Sequence, residues 1–351
     1  MIMFNGCILG TAETMVSTKK FIMVKHFDGL PKLSDFSIVE ETLPSLKDGE
    51  ILTEAIWISV DPYIRAYSVR MPAGEKVIGG QVAKVLESKN PNYNVNDLIV
   101  GNFGWQTVSI ISPDTFHKTT GNPAPYKLPD IGNLSPSLGL GILGMPGNTA
   151  LFGFLEVCKP QPGEIVVVSG AAGAVGSHVA QIAKHIGCIV IGFAGTDEKV
   201  NYLLNDLKLD AAFNYKKVEI ASSLAKIAPQ GVDCYFDNVG GEISSIVMYQ
   251  MKTNGRVSVC GSISSYNADA KSLPKASVLQ PAIVMKQLSV QGFLVWKWSD
   301  RFLEGIQQNL TWIKEGWLKY REKVFEGFEK LPEAFIDMLE GGNIGKAVVK
   351  V

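Results

Sequence analysis

Hydrophobic and polar positions change their period along the chain, and the change divides it. At 165–168 four apolar residues, three of them Val, follow one another without a polar break, the pattern of a parallel strand covered on both faces. A glycine-rich turn comes at once, and then Val175, Val179, Ile182, Ala183 and Ile186 recur at three- and four-residue spacing, which makes one apolar helix face. The alternation continues: strand 188–195, helix 197–207, strand 211–215, helix 218–227, strand 234–238, helix 243–251 and strand 255–260. Strands alternating with helices of this length specify an α/β fold with a doubly wound parallel sheet, the Rossmann type.

On either side the period is different. From 19 to 112 short alternating segments at 21–24, 50–60, 77–87 and 97–108 are separated by Asp-Gly, Pro-Ala-Gly and Asn-Pro-Asn turns, which predicts a compact β-rich domain. A proline-rich polar loop is expected over 113–136. A small-residue helix follows near 144–153, with Asn148 or Thr149 as its N-cap. Beyond the alternating region, 288–296 is a β-prone apolar run that would be an exposed edge unless paired, so it is expected to zip against a partner subunit. An amphipathic helix over 301–317, a strand near 319–326, a helix near 332–339 and a strand at 347–351 close the chain. This β-rich tail suggests a return to the first domain. Residues 1–14 read as an extension.

Composition narrows the picture. A chain of 351 residues is long for a single core, so two domains are expected. A formal net charge of −1 gives no reason to expect nucleic acid or an anionic membrane as partner. No apolar run approaches the roughly 18 residues of a membrane span. Cys7, Cys158, Cys188, Cys234 and Cys260 are scattered, with neither a disulfide framework nor a C-x-x-C knuckle, which fits a reducing cytoplasm. The N-terminus lacks the basic start and long apolar core of a signal peptide.

The candidate chemistry lies in the turn after the first parallel strand. Gly170, Gly173 and Gly176 stand there, with Ala171 in place of the first glycine of a G-x-G-x-x-G. Bare backbone lets a pyrophosphate reach the unsatisfied N–H groups of Gly173, Ala174, Val175 and Gly176 at the positive end of the helix, and Gly176 lets helix and strand pack closely. The plainer alternative is an ordinary Gly/Ala turn, but the strand–turn–helix setting favours dinucleotide binding. A reader of unphosphorylated ribose places a carboxylate at the end of the second strand, whereas here it ends Phe193-Ala194-Gly195. Asp197 and Glu198 read as first-turn acids after an N-cap at Thr196. With Lys199 beside them and Tyr215 at the end of the third strand, NADP(H) is expected over NAD. His26, His117, His178 and His185 form no ligand cluster, so no catalytic metal is expected, and His178 and His185 read as packed or solvated side chains. In Asp61-Pro62-Tyr63-Ile64-Arg65 the residues alone favour a helix start with a surface Asp/Arg pair.

Further motifs join these: Tyr-Phe-Asp-Asn-Val-Gly-Gly at 235–241, Cys-Gly-Ser-Ile-Ser-Ser-Tyr at 260–266, Gly-Met-Pro-Gly at 144–147 and Asn-Ile-Gly-Lys at 343–346. Together they resemble the zinc-independent medium-chain dehydrogenase/reductases, from Met15 to Val351. The resemblance implies a GroES-like β-rich catalytic domain at 15–141 and 317–351 around a Rossmann domain at 142–316, usually in a homodimer. It implies NADPH-dependent reduction of the carbon–carbon double bond of α,β-unsaturated ketones and aldehydes, with a lipid enone or enal as the small-molecule partner. It also implies that Asn238, the loop of Cys260, Gly261, Ser262, Ile263, Ser264, Ser265 and Tyr266, then Phe293, Leu294, Val295 and Asn343 line the cofactor. Where zinc-dependent relatives read G-H-E this chain has Gly79-Gly80-Gln81, in keeping with no metal. Where relatives carry tyrosines it has Met285 and Leu151, which implies a changed pocket.

Hydride addition to an enone builds negative charge on the carbonyl oxygen, and without zinc that charge must meet hydrogen-bond donors. Tyr266 is the catalytic candidate, together with the nicotinamide ribose hydroxyl, with the alternative that it only caps the cofactor loop. Tyr63 is expected to be a pocket wall. Two rival functions are an NADPH quinone oxidoreductase and a non-enzymatic NADPH-binding protein.

Overall fold

The structure, a computed structural model, describes residues 16–268 and 277–351. The expected extension over 1–14, with Cys7, lies outside the described residues. In chain order the strands are β1 (Ser17–Met23), β2 (Phe36–Thr42), β3 (Ile51–Ser59), β4 (Gln81–Ser88), β5 (Leu98–Gly101), β6 (Val108–Ile111), β7 (Tyr126–Lys127), β8 (Ile165–Ser169), β9 (Ile189–Ala194), β10 (Ala211–Asn214), β11 (Val232–Asp237), β12 (Met251–Val259), β13 (Ser289–Gly292), β14 (Glu322–Glu326) and β15 (Lys346–Lys350).

β8 is buried along all five residues because it lies at the centre of a six-stranded parallel sheet of order β10-β9-β8-β11-β12-β13. Helices cover both faces, and their apolar stripes make two cores, one around Val166, Val168 and Val179 and the other around Val167, Phe193 and Tyr235. The strand order reverses between β8 and β11, and a crevice opens beyond their carboxyl ends where an α/β sheet of this kind binds its ligand. The second sheet runs β14-β15-β3-β4-β5-β7, with β6 on β3, so the tail does return to the first β region, β15 pairing antiparallel with β3. β1 and β2 form a separate antiparallel ribbon.

Several local expectations are corrected. The small-residue helix is Met145–Leu155, capped by Gly144, so Asn148 and Thr149 lie inside it. Pro146 suits its first turn, and Asn148 instead donates to the Phe302 carbonyl at 2.8 Å. The segment 113–136 holds a 3-10 turn, the helix Phe116–Thr120 and β7 as well as loop. The helix after β9 is α-helical only over Asp197–Asn201 before a π turn at Tyr202–Asp206. Of the run 288–296 only Ser289–Gly292 is strand, and Val295–Arg301 turns into a 3-10 helix. Asp61 and Arg65 are no surface pair: both are buried, at 5% and 3% exposure, because each meets a partner distant in sequence.

Candidate active site

The glycine turn is shaped by contacts that admit no side chain. Gly170 has φ +60°. A Cβ on Gly176 would stand 2.3 Å from the Gly170 carbonyl oxygen, so helix Ala174–Ile186 can approach β8 only with glycine there. Gly173 caps that helix, and Gly173, Ala174, Val175 and Gly176 all line the crevice. The C-terminal loop clips onto the turn: Gly345 donates its N–H to the Ala172 carbonyl at 2.8 Å and bridges Gly173. Gly345 has φ +70°, and a Cβ on it would stand 1.9 Å from the Arg321 carbonyl oxygen. Asn343, also on the crevice, donates to the Gly345 carbonyl at 2.7 Å.

At the end of β9, Thr196 accepts from the Lys199 N–H at 3.3 Å, the expected cap. Asp197 is drawn away by Asn214 at 2.7 Å and Lys217 at 2.5 Å, which leaves no carboxylate of the first turn on the crevice. Lys199 and Tyr215 do line it, the Tyr215 hydroxyl lying over Gly195. Lys216 and Thr196 join them, two residues sequence reasoning missed, although Lys216 directly follows Tyr215. Burial, and then the charge of Lys216, lower the Lys199 pKa. Two cations converging on one concave end suit a phosphate dianion.

Asp237 at the end of β11 fixes the opposite loop. Buried, it accepts from Tyr235 at 2.8 Å, Ser169 at 3.1 Å, Ser244 at 2.6 Å and the N–H groups of Val239 and Gly240 at 3.0 and 2.9 Å. Asn238 is held in turn by its amide, which donates to the Ser169 carbonyl at 2.7 Å. The next loop carries Cys260, Gly261, Ile263, Ser264 and Tyr266 on the crevice. Ser262 and Ser265 do not line it: within one tight turn their hydroxyls meet each other at 2.8 Å. Burial and the nearby Asp237 push the Cys260 thiol up to about 12, so it stays protonated. The Tyr266 hydroxyl accepts from the Ser262 N–H at 3.2 Å, a bond that does not use its own proton, and burial raises its pKa.

Facing this loop, helix Pro62–Ser68 presents Tyr63 and Tyr67, ring centroids 5.9 Å apart, both on the crevice. Burial and then the charge of Asp61 raise the Tyr63 pKa well above its ordinary value. Asp61 accepts from the Ser59 hydroxyl and pairs at 3.2 Å with Lys346, whose ammonium also donates to the Val60 and Ala347 carbonyls at 2.7 Å each. Phe293, Leu294 and Val295 close another side, Phe293 lying against Gly153. Leu151 instead packs in the core, and Met285 is 76% exposed, so neither lines the cavity and the expected change of pocket does not come from them within this chain. The cavity measures about 1900 Å³, against roughly 300–1,000 Å³ for a pocket holding one small molecule. It is larger than one such molecule needs.

Among the described residues no group of three or more His, Cys, Asp or Glu side chains could hold a metal ion. Gln81 donates from its amide to the Gly104 and Gln106 carbonyls, at 2.5 and 2.9 Å, a structural use of the position. His178 is buried and His185 stacks on Trp317 at 3.9 Å.

Comparison with known proteins agrees with this geometry. Residues 19–119 match the family model described as N-terminal domain of oxidoreductase, and residues 174–310 the one described as zinc-binding dehydrogenase. The chain is 45% identical to prostaglandin reductase 1 of Rattus norvegicus over 338 residues, 96% of this chain and 100% of that protein. It is 38% identical to the NADP-dependent 2-alkenal reductase of Nicotiana tabacum over 349 residues, 96% of this chain and 98% of that one. Among solved structures, CurA from Vibrio vulnificus in complex with NADPH superposes with a TM-score of 0.85 at 32% identity, covering 95% of this chain and 99% of that one. The zinc in the second model's description has no donor set to match it among the described residues.

Proposed function

The chain belongs to the zinc-binding-dehydrogenase type of medium-chain dehydrogenase/reductases, and from that premise we propose that it is an NADP(H)-dependent oxidoreductase that reduces the carbon–carbon double bond of α,β-unsaturated ketones and aldehydes. One observation carries the reading: the dinucleotide cradle and an aromatic-walled pocket are two ends of a single cavity. The residues fit NADPH, since the Gly170–Gly176 contact leaves a bare backbone cradle and Lys199 and Lys216 mark a phosphate end. When bound, NADPH supplies the hydride that reduces the β-carbon. With NADPH bound, the helix N-terminus at Gly173 to Gly176 would hold the pyrophosphate and Lys199 and Tyr215 the 2'-phosphate; Asn238, Cys260, Gly261, Ile263, Ser264 and Tyr266, Phe293 to Val295 and Asn343 would line the rest. Tyr266 donates a hydrogen bond to the carbonyl oxygen as it becomes an enolate. Tyr63 walls the pocket and keeps its proton. Substrates are lipid enones and enals, 15-oxo-prostaglandins being the type; oxidation of a leukotriene hydroxyl would be a second reaction, in which the carbinol carbon gives its hydride to NADP+ and the hydroxyl its proton to solvent.

Helix Met145–Leu155 packs into the core beneath the parallel sheet while β14 and β15 join the other sheet. Both support division into a catalytic domain, 15–141 with 317–351, and a Rossmann domain, 142–316. A homodimer joined along β13 is supported by that strand's exposed edge, with Val290 exposed in it and Leu294 and Trp296 exposed just beyond it. Among the described residues no helix is long and apolar enough to cross a membrane. Cys158, Cys188, Cys234 and Cys260 are free thiols, which suits the cytoplasm.

A panel of enones, enals and quinones tests the reading, with NADPH oxidation followed and products weighed. A product two hydrogens heavier and saturated between the α and β carbons is expected. A hydroquinone alone would make the chain a quinone oxidoreductase, and binding without turnover a non-enzymatic NADPH-binding protein.

A further inference from the structure

Arg65 is buried to 3% exposure, and among the described residues its hydrogen bonds go to neutral oxygens. Its Nη2 and Nε donate to the Gly29 carbonyl at 3.1 and 3.3 Å, and Nε also donates to Asn267 Oδ1 at 3.2 Å. The guanidinium stands over the Phe27 ring, 5.7 Å from its centroid, and burial lowers its pKa. Its planar fork reaches two segments far apart in the chain, at Gly29 and at Asn267, so its use is read from what it holds in place.

What it holds is the end of the Tyr266 turn. Ile263–Tyr266 is a helix of four residues, too short to be rigid by itself. Its start is fastened to its own domain, Ser264 donating from both N–H and hydroxyl to the Val239 carbonyl at 3.1 and 2.6 Å. Its far end, Asn267, is reached by Arg65 from the helix that carries Tyr63 and Tyr67. The bond therefore joins the helix that carries Tyr63 and Tyr67 to the residue beside the proposed donor.

We propose that Arg65 is a positioning residue for the reduction: through Asn267 it fixes Tyr266 at the substrate carbonyl and ties the helix that carries Tyr63 and Tyr67 to the Tyr266 turn. This rests on the reading of Tyr266 as hydrogen-bond donor. Asn267→Ala removes the acceptor while leaving Arg65 its bond to Gly29, so the fold is kept; kcat for an enone, both KM values, NADPH affinity and Tm are measured for Asn267→Ala, Tyr266→Phe and the double variant. Asn267→Ala is expected to lower kcat by up to the about tenfold of Tyr266→Phe, with NADPH affinity unchanged, and to have no further effect in the Tyr266→Phe background. If Asn267→Ala leaves kcat at the wild-type value, or lowers it by the same factor with Phe at 266, Arg65 and Asn267 do not act through Tyr266 and this proposal alone fails. If Tyr266→Phe has wild-type kcat, the reading of Tyr266 fails and this proposal with it.

Discussion

Lys199 donates from Nζ to the Gly341 carbonyl at 2.8 Å, which aims its charge along the crevice between the end of β9 and the C-terminal loop. A neutral acceptor leaves that charge available to an anion. Lys199→Ala is expected to weaken NADPH binding by roughly 1–3 kcal/mol, the range for a hydrogen bond to a charged group, and to leave NADH nearly untouched. Lys216 stands on the same end, so the double alanine variant should lose more than either alone. Fluorescence titration with both cofactors decides it; equal losses for NADPH and NADH would reduce Lys199 to a prop for the Gly341 loop.

The parts of this site that sequence exposed are those whose requirement is local. A strand, a bare turn and a helix lie within about two dozen residues, and the missing carboxylate after Phe193-Ala194-Gly195 can be read without knowing any distant contact. What stayed hidden is set by contacts far apart in the chain. Asp61 looked like half of a surface pair because its partner is Lys346, and Arg65 likewise because its partner is Asn267. The serines of the 260–266 motif all carry the same resemblance, but one helical turn cannot point every side chain at the crevice, and Ser262 and Ser265 turn toward each other. Burial likewise decided Leu151, which the resemblance alone had set at the pocket and which packs in the core.

His178 makes the fold sensitive to acid. On the buried side of the coenzyme helix, burial lowers its pKa from 6.5 to about 3, the Asn309 side chain opposing the shift. The folded value lies below the unfolded one, so the unfolded chain takes up the proton first. The stability tied to neutral His178 is complete above pH 6.5 and is lost as pH falls from there toward 3. The loss is at most about 5 kcal/mol, at roughly 1.4 kcal/mol for each tenfold difference in proton affinity. Urea unfolding of wild type and His178→Gln between pH 7 and 4 should show a shallower decline for the variant. Parallel declines would place the acid sensitivity in the carboxylates.

Catalysis is expected to be independent of zinc, since Gly80, with no side chain, stands where G-H-E has its histidine, and Gln81, in place of the glutamate, has its amide bonded to two backbone carbonyls. Prolonged treatment with a strong chelator, followed by elemental analysis, should leave turnover unchanged and reveal no stoichiometric metal. Activity lost on chelation and recovered with zinc would contradict this.

Tyr266 carries the sharpest expectation. Its oxygen accepts from the Ser262 N–H at 3.2 Å, and that bond polarises the hydroxyl toward donation rather than consuming its proton. Burial raises its pKa, which keeps it protonated through the neutral range. A donor that strengthens its bond only as the enolate forms acts in the transition state, so Tyr266→Phe should lower kcat and kcat/KM together. One oxyanion donor elsewhere contributes about 10²-fold or more to kcat. Here the ribose hydroxyl of the cofactor would still donate, so a loss nearer tenfold is expected, with NADPH affinity barely moved. Steady-state kinetics on an enone beside a direct NADPH titration separates the two roles of the side chain. A defect found wholly in NADPH binding would mean that Tyr266 shapes the loop from Cys260 onward and leaves the developing charge to other donors.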